Sequence, residues 1–360
     1  MNEFAGREPR TLEEAQELLR SGARLCIVGG GTAVAPQPDV DLLLTTRLNR
    51  VLEYNPSDQV VTVEAGVTLA ALQRELAAKG QRLALDPPQP DRATLGGIIA
   101  ANSFGPLRAR FGSVRDLIIG ISILRADGTL AKGGGKVVKT VAGFDLPKLL
   151  CGSFGTLGLI VTATFRVHPL AEATQDVVRR GLDAAGVVAA VAQLRQGQFE
   201  PAAVVATRVS GRYQLGIRLE GFEAGVRQQV NALAAEPAPK DLWAAHERDR
   251  CAGPVRLKLA ALPTDLPRVE AALAPLGPDV AFSWYATLGL GFVSGAIDAA
   301  AVEALRRALA ALHGSVVVEA GPATLDRFGP PPAAIALHKS IKARFDPQGV
   351  FAPGRFVGGI

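Results

Sequence analysis

DPPQPDRATLGGIIAANSFG, residues 86–105, opens with a stiff Asp-Pro-Pro turn, crosses a polar loop and tips at Thr94 into a short apolar segment packed with Gly and Ala. Thr94 is placed to cap that segment, its hydroxyl accepting one of the free N–H groups of a helical first turn. Gly96 and Gly97 remove side chains where backbone amides approach something large, and Ala100 and Ala101 keep that face small one turn later. Bare amide donors at a helix start, backed by the positive end of the dipole, make a site for a diphosphate. The same small residues also suit a tight helix crossing.

The flanking sequence repeats the theme. Upstream, an apolar strand over 25–28 runs into Gly29-Gly30-Gly31-Thr32. A glycine run after a buried strand invites a dinucleotide-fold reading, yet Pro36 and Pro38 follow within a few residues. They forbid the long helix that the dinucleotide fingerprint needs, and its third glycine is missing. The run reads instead as a loop whose amides point at an anion, or as an ordinary glycine turn. Downstream, Gly152-Ser153-Phe154-Gly155-Thr156-Leu157-Gly158 is a further glycine loop, feeding a strand over 159–167. AKGGGKV, residues 131–137, lacks P-loop spacing and no capped helix follows it.

Short strands and helices alternate between these loops. Thr11 caps an amphipathic helix over 11–20, with Glu14 three residues on. Strands are expected over 41–45, 51–54 and 60–65, then a helix capped by Thr68 and stopped by Gly80. A hairpin turns through Asp127-Gly128, and a short helix covers 145–151. From about Ala171 the glycine loops give way to alanine-rich helices (182–196, 222–235, 241–251, 264–276, 298–312). Strands are interleaved at 202–209, 213–220, 254–260, 279–286, 288–294 and 315–319. That order predicts an antiparallel sheet with helices on one face. The chain is therefore read as α+β: a first domain over 1–170, a second over 171–335, and a segment over 336–360 returning to the first.

Composition works mainly by exclusion. Hydrophobic residues at 48% and charged residues at 20% are globular values. Aromatics at 5% argue against stacking platforms for single-stranded nucleic acid. The net charge of +5 is spread without a basic run, densest at Arg108, Arg110 and Arg115, so no nucleic-acid partner is expected. Cys26, Cys151 and Cys251 lie too far apart for an iron–sulfur or structural zinc site. The four histidines share no i,i+4 spacing, so no metal is expected. An odd cysteine count, a polar N-terminus and no apolar run of roughly 18 residues point to the cytoplasm. His168 beside Pro169 reads as structural, and His246 with Arg250, one turn on, as a solvated helix face. No Ser-His-Asp, paired-carboxylate or Cys-His constellation stands out, so no catalytic residue is assigned. A cofactor carrying its own reactivity fits better.

VGGGT, DPPQPDRATLGGIIAAN, FGSVRDLIIG, KTVAGFDLPKLLCGSFGTLGLIVT and the tail FDPQGVFAPGR together resemble the FAD-binding domain shared by vanillyl-alcohol oxidase and p-cresol methylhydroxylase. Their order and spacing are most similar to the FAD-binding E-subunit family of bacterial glycolate oxidases, over residues 24–168 and 338–356. The resemblance implies a two-subdomain flavin domain carrying an α+β cap domain with an antiparallel sheet. It places Gly29, Gly30, Gly31 and Thr32 against the diphosphate, with Pro88, Thr94, Gly96, Gly97, Ala100 and Ala101 of the second motif. Ser113, Val114 and Asp116 would flank the ribityl chain or ribose. Gly155, Thr156, Gly158 and the backbone of Ile160 would close over the adenosine half, and Gly354 and Arg355 would return near the isoalloxazine.

The resemblance further implies an FAD-dependent oxidoreductase working in a complex with a larger flavoprotein and an iron–sulfur subunit. That complex would oxidise a 2-hydroxy acid such as glycolate to glyoxylate, with any membrane association made through the partners. A stand-alone FAD dehydrogenase and a non-catalytic scaffold are the alternatives. Members that tether flavin covalently place a histidine where Thr32 stands, so the FAD is expected to be non-covalent. The tail commonly reads Asn-Pro-Gly, and Ala352 replaces that Asn.

Overall fold

The computed structural model describes residues 6–33, 40–135 and 144–360. Pro36, Pro38, the end of AKGGGKV and the start of the KTVAGF motif lie outside them. The chain divides into two compact units, one of residues 1–105, 111–170 and 330–360, the other of 106–110 and 171–329. Residues 106–110 thus group with the second unit, and the returning segment begins at Pro330.

In chain order the first unit holds α1 (Leu12–Arg20), β1 (Leu25–Val28), β2 (Asp41–Leu44), β3 (Val51–Asn55), β4 (Val60–Glu64), α2 (Leu69–Ala77), β5 (Gln81–Arg82) and α3 (Leu95–Ala101). After the single turn α4 (Arg108–Phe111) come α5 (Val114–Leu117), β6 (Ile118–Leu124), β7 (Leu130–Gly134), α6 (Leu146–Leu150), β8 (Leu159–Arg166) and β9 (His168–Pro169). Thr11, Thr68 and Thr94 cap their helices by accepting the N–H of Glu14, Ala71 and Gly97 at 3.2, 3.3 and 3.3 Å. Each hydroxyl satisfies a donor the helix cannot pair internally. An antiparallel sheet runs β3-β4-β8-β6-β7. Its strands share one core with α3, Val61, Val63, Ile121 and Ala163 meeting Leu95, Ile98 and Ile99. β1 and β2 form a separate parallel pair, Ile27 opposite Leu43. Ala15 and Leu19 of α1 pack there with Leu25, Leu43 and Phe351.

The second unit contains β10 (Ala173–Leu182), α7 (Ala184–Gln196), β11 (Pro201–Val209), β12 (Arg212–Gly221), α8 (Glu223–Ala232), β13 (Glu236–Pro237) and α9 (Leu242–Cys251). It continues with β14 (Val255–Ala260), α10 (Leu266–Leu273), β15 (Ala281–Tyr285), β16 (Leu290–Gly295), α11 (Ala299–Ala310) and β17 (Ser315–Ala320). The sheet is antiparallel in the order β13-β10-β12-β11-β15-β16-β14-β17. On one face Leu215, Ile217, Leu257 and Trp284 pack with Val191 of α7, Val226 of α8, Val269 of α10 and Leu305 of α11.

Two features depart from the sequence reading. β10 is a full strand where none was expected, because only Val177 and Val178 of ATQDVVRRGL are buried. α9 lies on the opposite face from the other helices. Tyr285 alternates with the core residue Trp284, and its hydroxyl meets His246 of α9 at 3.1 Å. The last helix, α12 (Ile335–Phe345), belongs to the first unit.

Candidate functional site

A cleft opens in the first unit where three loops meet. Gly29, Gly30, Gly31 and Thr32 form one wall, continued by Ile27, Val28 and Ala33. Thr94, Gly96, Gly97, Ala100 and Ala101 form a second, backed by Ala65 and Thr45. Phe154, Gly155, Gly158 and Ile160 form a third, and Arg355 reaches in from the tail.

The glycines do different jobs. A Cβ on Gly29 would lie 2.0 Å from the Thr94 hydroxyl, and one on Gly30 would lie 1.7 Å from the Arg92 carbonyl oxygen. These two let the first loop rest against the second. A Cβ on Gly96 would stand 2.8 Å from the Ala65 Cβ, so that glycine serves the tight helix crossing. Gly97 faces open space, its added Cβ meeting only the Thr94 hydroxyl at 3.1 Å. Gly31 takes a left-handed φ of +65°, which favours glycine.

The helix start does not supply free donors, contrary to expectation. Leu95 N–H bonds the Val67 carbonyl at 2.9 Å and Gly96 N–H the Ala65 carbonyl at 2.7 Å, while Gly97 N–H is capped by Thr94. Residues 65–67 pass beside α3 and absorb the amides that a sequence leaves formally orphaned. α3 is therefore a smooth wall. The backbone N–H groups of Gly29 to Thr32, by contrast, take no backbone acceptor among the described residues. The first loop therefore offers the cleft backbone donors that the start of α3 does not.

The C-terminal end of α3 anchors the third loop. The carbonyls of Ile99 and Ala100 accept the N–H groups of Gly152 and Phe154 at 3.0 and 2.8 Å. Arg355 is the single charged side chain among the described lining residues. Its Nη1 donates to the Ile27 carbonyl at 3.1 Å and lies 3.1 Å from the Cys26 sulfur. Burial pushes its pKa down from the ordinary arginine value, with Cys26 acting in the opposite sense. A guanidinium desolvated in this way gains from a neighbouring anion.

Pro88, Ser113, Val114, Asp116 and Thr156 are not among the lining residues. The Asp116 carboxylate accepts from the N–H and hydroxyl of Ser113 at 2.8 and 3.0 Å, closing the first turn of α5, and Val114 is core. The Thr156 hydroxyl donates to the Ser153 carbonyl at 2.7 Å. Pro88 stands in the half-buried loop before α3. Ile27, Val28, Ala33, Thr45, Ala65 and Phe154 line the cleft unanticipated. Strand residues next to a glycine run could have been inferred; Thr45 and Ala65 come from other segments. His168 packs its ring edge-on against Phe111 at 5.2 Å, a structural role.

The second unit holds a group that the sequence reading placed in solvent. His246 and Arg250 are buried, not a solvated face, because α9 lays them on the sheet. His246 Nε2 lies 3.1 Å from the Tyr285 hydroxyl, and Arg250 Nη1 donates to the same hydroxyl at 3.0 Å. The Arg250 guanidinium stacks over Phe292 at 3.6 Å and lies 3.9 Å from the Glu319 carboxylate. Burial, with the charge of Arg250, drives the His246 pKa down to about 3, so the ring is neutral. Arg218 instead pairs with Asp176 at 2.9 Å and covers Trp243.

Residues 7–134 match the FAD binding domain family. Those residues form an FAD-binding domain. A cradle of glycines with one guanidinium fits the diphosphate of that cofactor, whose two charges need donors but tolerate few side chains. The chain is 28% identical to glycolate oxidase subunit GlcE of Escherichia coli strain K12, over 96% of its own length and 95% of that protein. Glycolate oxidase subunit GlcD of Bacillus subtilis strain 168 is 35% identical over 158 residues, 44% of this chain and 33% of that one. A D-2-hydroxyglutarate dehydrogenase of Xanthomonas citri is 27% identical, covering 79% of this chain and 70% of its own. A solved structure of alkyldihydroxyacetonephosphate synthase superposes with a TM-score of 0.72 at 18% identity, over 95% of this chain and 75% of its own. The flavin domain therefore has the fold of vanillyl-alcohol oxidase and p-cresol methylhydroxylase. The chain is an FAD-linked oxidoreductase.

Proposed function

We propose that this flavoprotein binds FAD non-covalently in the glycine-walled cleft and serves as the FAD-binding subunit of a glycolate oxidase complex. The cleft carries the reading: three loops of small residues surround a space lined by one guanidinium. The amides of Gly29 to Thr32 and the Arg355 guanidinium would hold the diphosphate, and Gly97, Ala100 and Ala101 would let it lie close to α3. Gly155 and Gly158 would cover the adenosine half. Thr32 has no nucleophilic ring nitrogen, so the flavin stays dissociable.

Bound FAD supplies a two-electron acceptor. Oxidation of glycolate to glyoxylate delivers a hydride to such an acceptor and a hydroxyl proton to a base, and this chain's cleft offers no side-chain base among its described lining residues. Substrate oxidation is accordingly assigned to a larger flavoprotein partner, with electrons passing on to an iron–sulfur subunit. This chain's cysteines are scattered at positions 26, 151 and 251, which supports placing the cluster in the partner. Among the described residues no helix is long and apolar enough to cross a membrane. Work in the cytoplasm, with membrane association through partners, completes the proposal.

The buried His246–Tyr285–Arg250 group favours a second reading, a stand-alone hydroxy-acid dehydrogenase, because it gathers groups able to hold a carboxylate and move a proton. Anaerobic addition of glycolate to the FAD-loaded chain, alone and co-purified with its partner subunits, separates the two. The complex reading expects the flavin absorbance to bleach only with the partners present. Bleaching of the chain alone supports the second reading, and a chain that takes up no FAD overturns both.

A further inference from the structure

The first unit is closed by a tail whose contacts converge on two of the three cleft loops. The Lys342 ammonium is largely buried in α12 and donates to three acceptors: the Asp346 carboxylate at 2.6 Å, the Phe351 carbonyl at 2.8 Å and the Thr156 carbonyl at 2.8 Å. Its three protons thus have three partners. The Asp346 side chain is fully buried and also accepts the N–H groups of Val350 and Phe351, each at 2.8 Å. That bonding shapes the turn after α12.

The shaped turn then runs beside β1. Leu25 N–H donates to the Val350 carbonyl at 2.8 Å, and Ala352 N–H to the Leu25 carbonyl at 2.9 Å. Three residues on, Arg355 bonds the Ile27 carbonyl just ahead of the first glycine loop. Phe356 packs against Phe154 of the third loop at 5.9 Å between ring centres. Thr156 lies between Gly155 and Gly158, both of which line the cleft.

We propose that Lys342 is a positioning residue for the cofactor. Through the Asp346-ordered turn it ties the third glycine loop to the tail, and the tail ties both to the strand that feeds the first loop. The ammonium lies outside the cleft and acts by fixing the Thr156 peptide and the path that delivers Arg355. The trans geometry of a peptide makes this effective: with the Thr156 carbonyl held by Lys342, the Leu157 N–H is fixed in the opposite direction. The inference rests on the reading of the cleft as the FAD site.

The test compares the full-length wild type with Lys342→Met and Asp346→Asn by titrating apoprotein with FAD and following flavin fluorescence, at a temperature where thermal unfolding shows each protein folded. The expected result is at least a tenfold rise in the FAD dissociation constant for Lys342→Met, with an altered visible circular dichroism of the bound flavin. A purely structural role lowers the melting temperature of the apoprotein and leaves that constant and spectrum unchanged, which overturns the proposal. If the wild type itself binds no FAD, the cleft reading fails instead.

Hydrogen exchange on the wild type decides the matter if neither variant folds. FAD should then protect amides in 342–356 together with those in 152–158. Protection confined to the glycine loops overturns the coupling.

Discussion

The cleft of the first unit and the α9 face of the second unit make their sites from opposite materials. The cleft is built from main chain, with glycines removing side chains and one arginine adding charge. The α9 face is built from side chains, with His246, Arg250 and Tyr285 bonded to one another in a buried layer. A main-chain site tolerates almost no added atom but has little to titrate. A side-chain site survives small steric changes and responds to pH. Both tryptophans, Trp243 and Trp284, lie in the second unit, so tryptophan fluorescence, excited selectively over tyrosine, reports that unit.

The largest effects are expected where the main chain is crowded. Gly30→Ala forces a Cβ to 1.7 Å from a backbone oxygen and should destabilise the first unit by about 3 kcal/mol or more. Limited proteolysis should show that unit opening while tryptophan fluorescence stays native. Gly97→Leu sharpens the contrast, since that position faces the open cleft. It should abolish FAD uptake, with urea unfolding by circular dichroism shifted by no more than about 1 kcal/mol. FAD bound at wild-type affinity by this variant would break the assignment of the wall.

Removing charge comes next. Arg355→Gln takes away the guanidinium and should weaken FAD by about 10- to 100-fold, the range of a charge-assisted hydrogen bond. Equilibrium dialysis reads this directly, and an unchanged affinity would shift the anion contact wholly to the first-loop amides.

The α9 face should answer to acid instead. His246 titrates at about 3 in the fold against 6.5 when free, so the unfolded chain binds the extra proton between those values. Stability of the second unit is therefore intact above pH 6.5 and falls as pH drops, by up to about 1.4 kcal/mol per pH unit. Urea titrations followed by tryptophan fluorescence at stepped pH should show that slope, and His246→Gln should flatten it. The smallest effect concerns Ala352, fully buried at a left-handed φ of +41° where an alanine is strained. Ala352→Gly relieves that strain against a loss of chain entropy, for a net gain of about 0.5 kcal/mol. Thermal unfolding would show it.

The same contrast explains what the sequence disclosed. Glycine loops announce themselves because glycine has few other uses at such density, and threonine caps at 11, 68 and 94 mark helix starts by local chemistry alone. The amides of Leu95 and Gly96 looked free because their acceptors, Val67 and Ala65, lie some thirty residues away and meet them only in the fold. Strand β10 escaped notice because an outer strand needs little burial to be paired. LWAAHERDRC reads as a solvated helix, and only the Tyr285 hydroxyl and Phe292 ring on neighbouring strands make His246 and Arg250 a buried layer. Ala352 hid a positive φ because nothing in an alanine signals one.

The most direct measurement is the flavin content of the full-length chain after incubation with FAD and desalting, wild type beside Gly97→Leu. The account predicts one FAD per wild-type chain, released on acid denaturation, and a colourless variant with native tryptophan fluorescence. A colourless wild type, or a flavin that stays attached to the denatured chain, would contradict it.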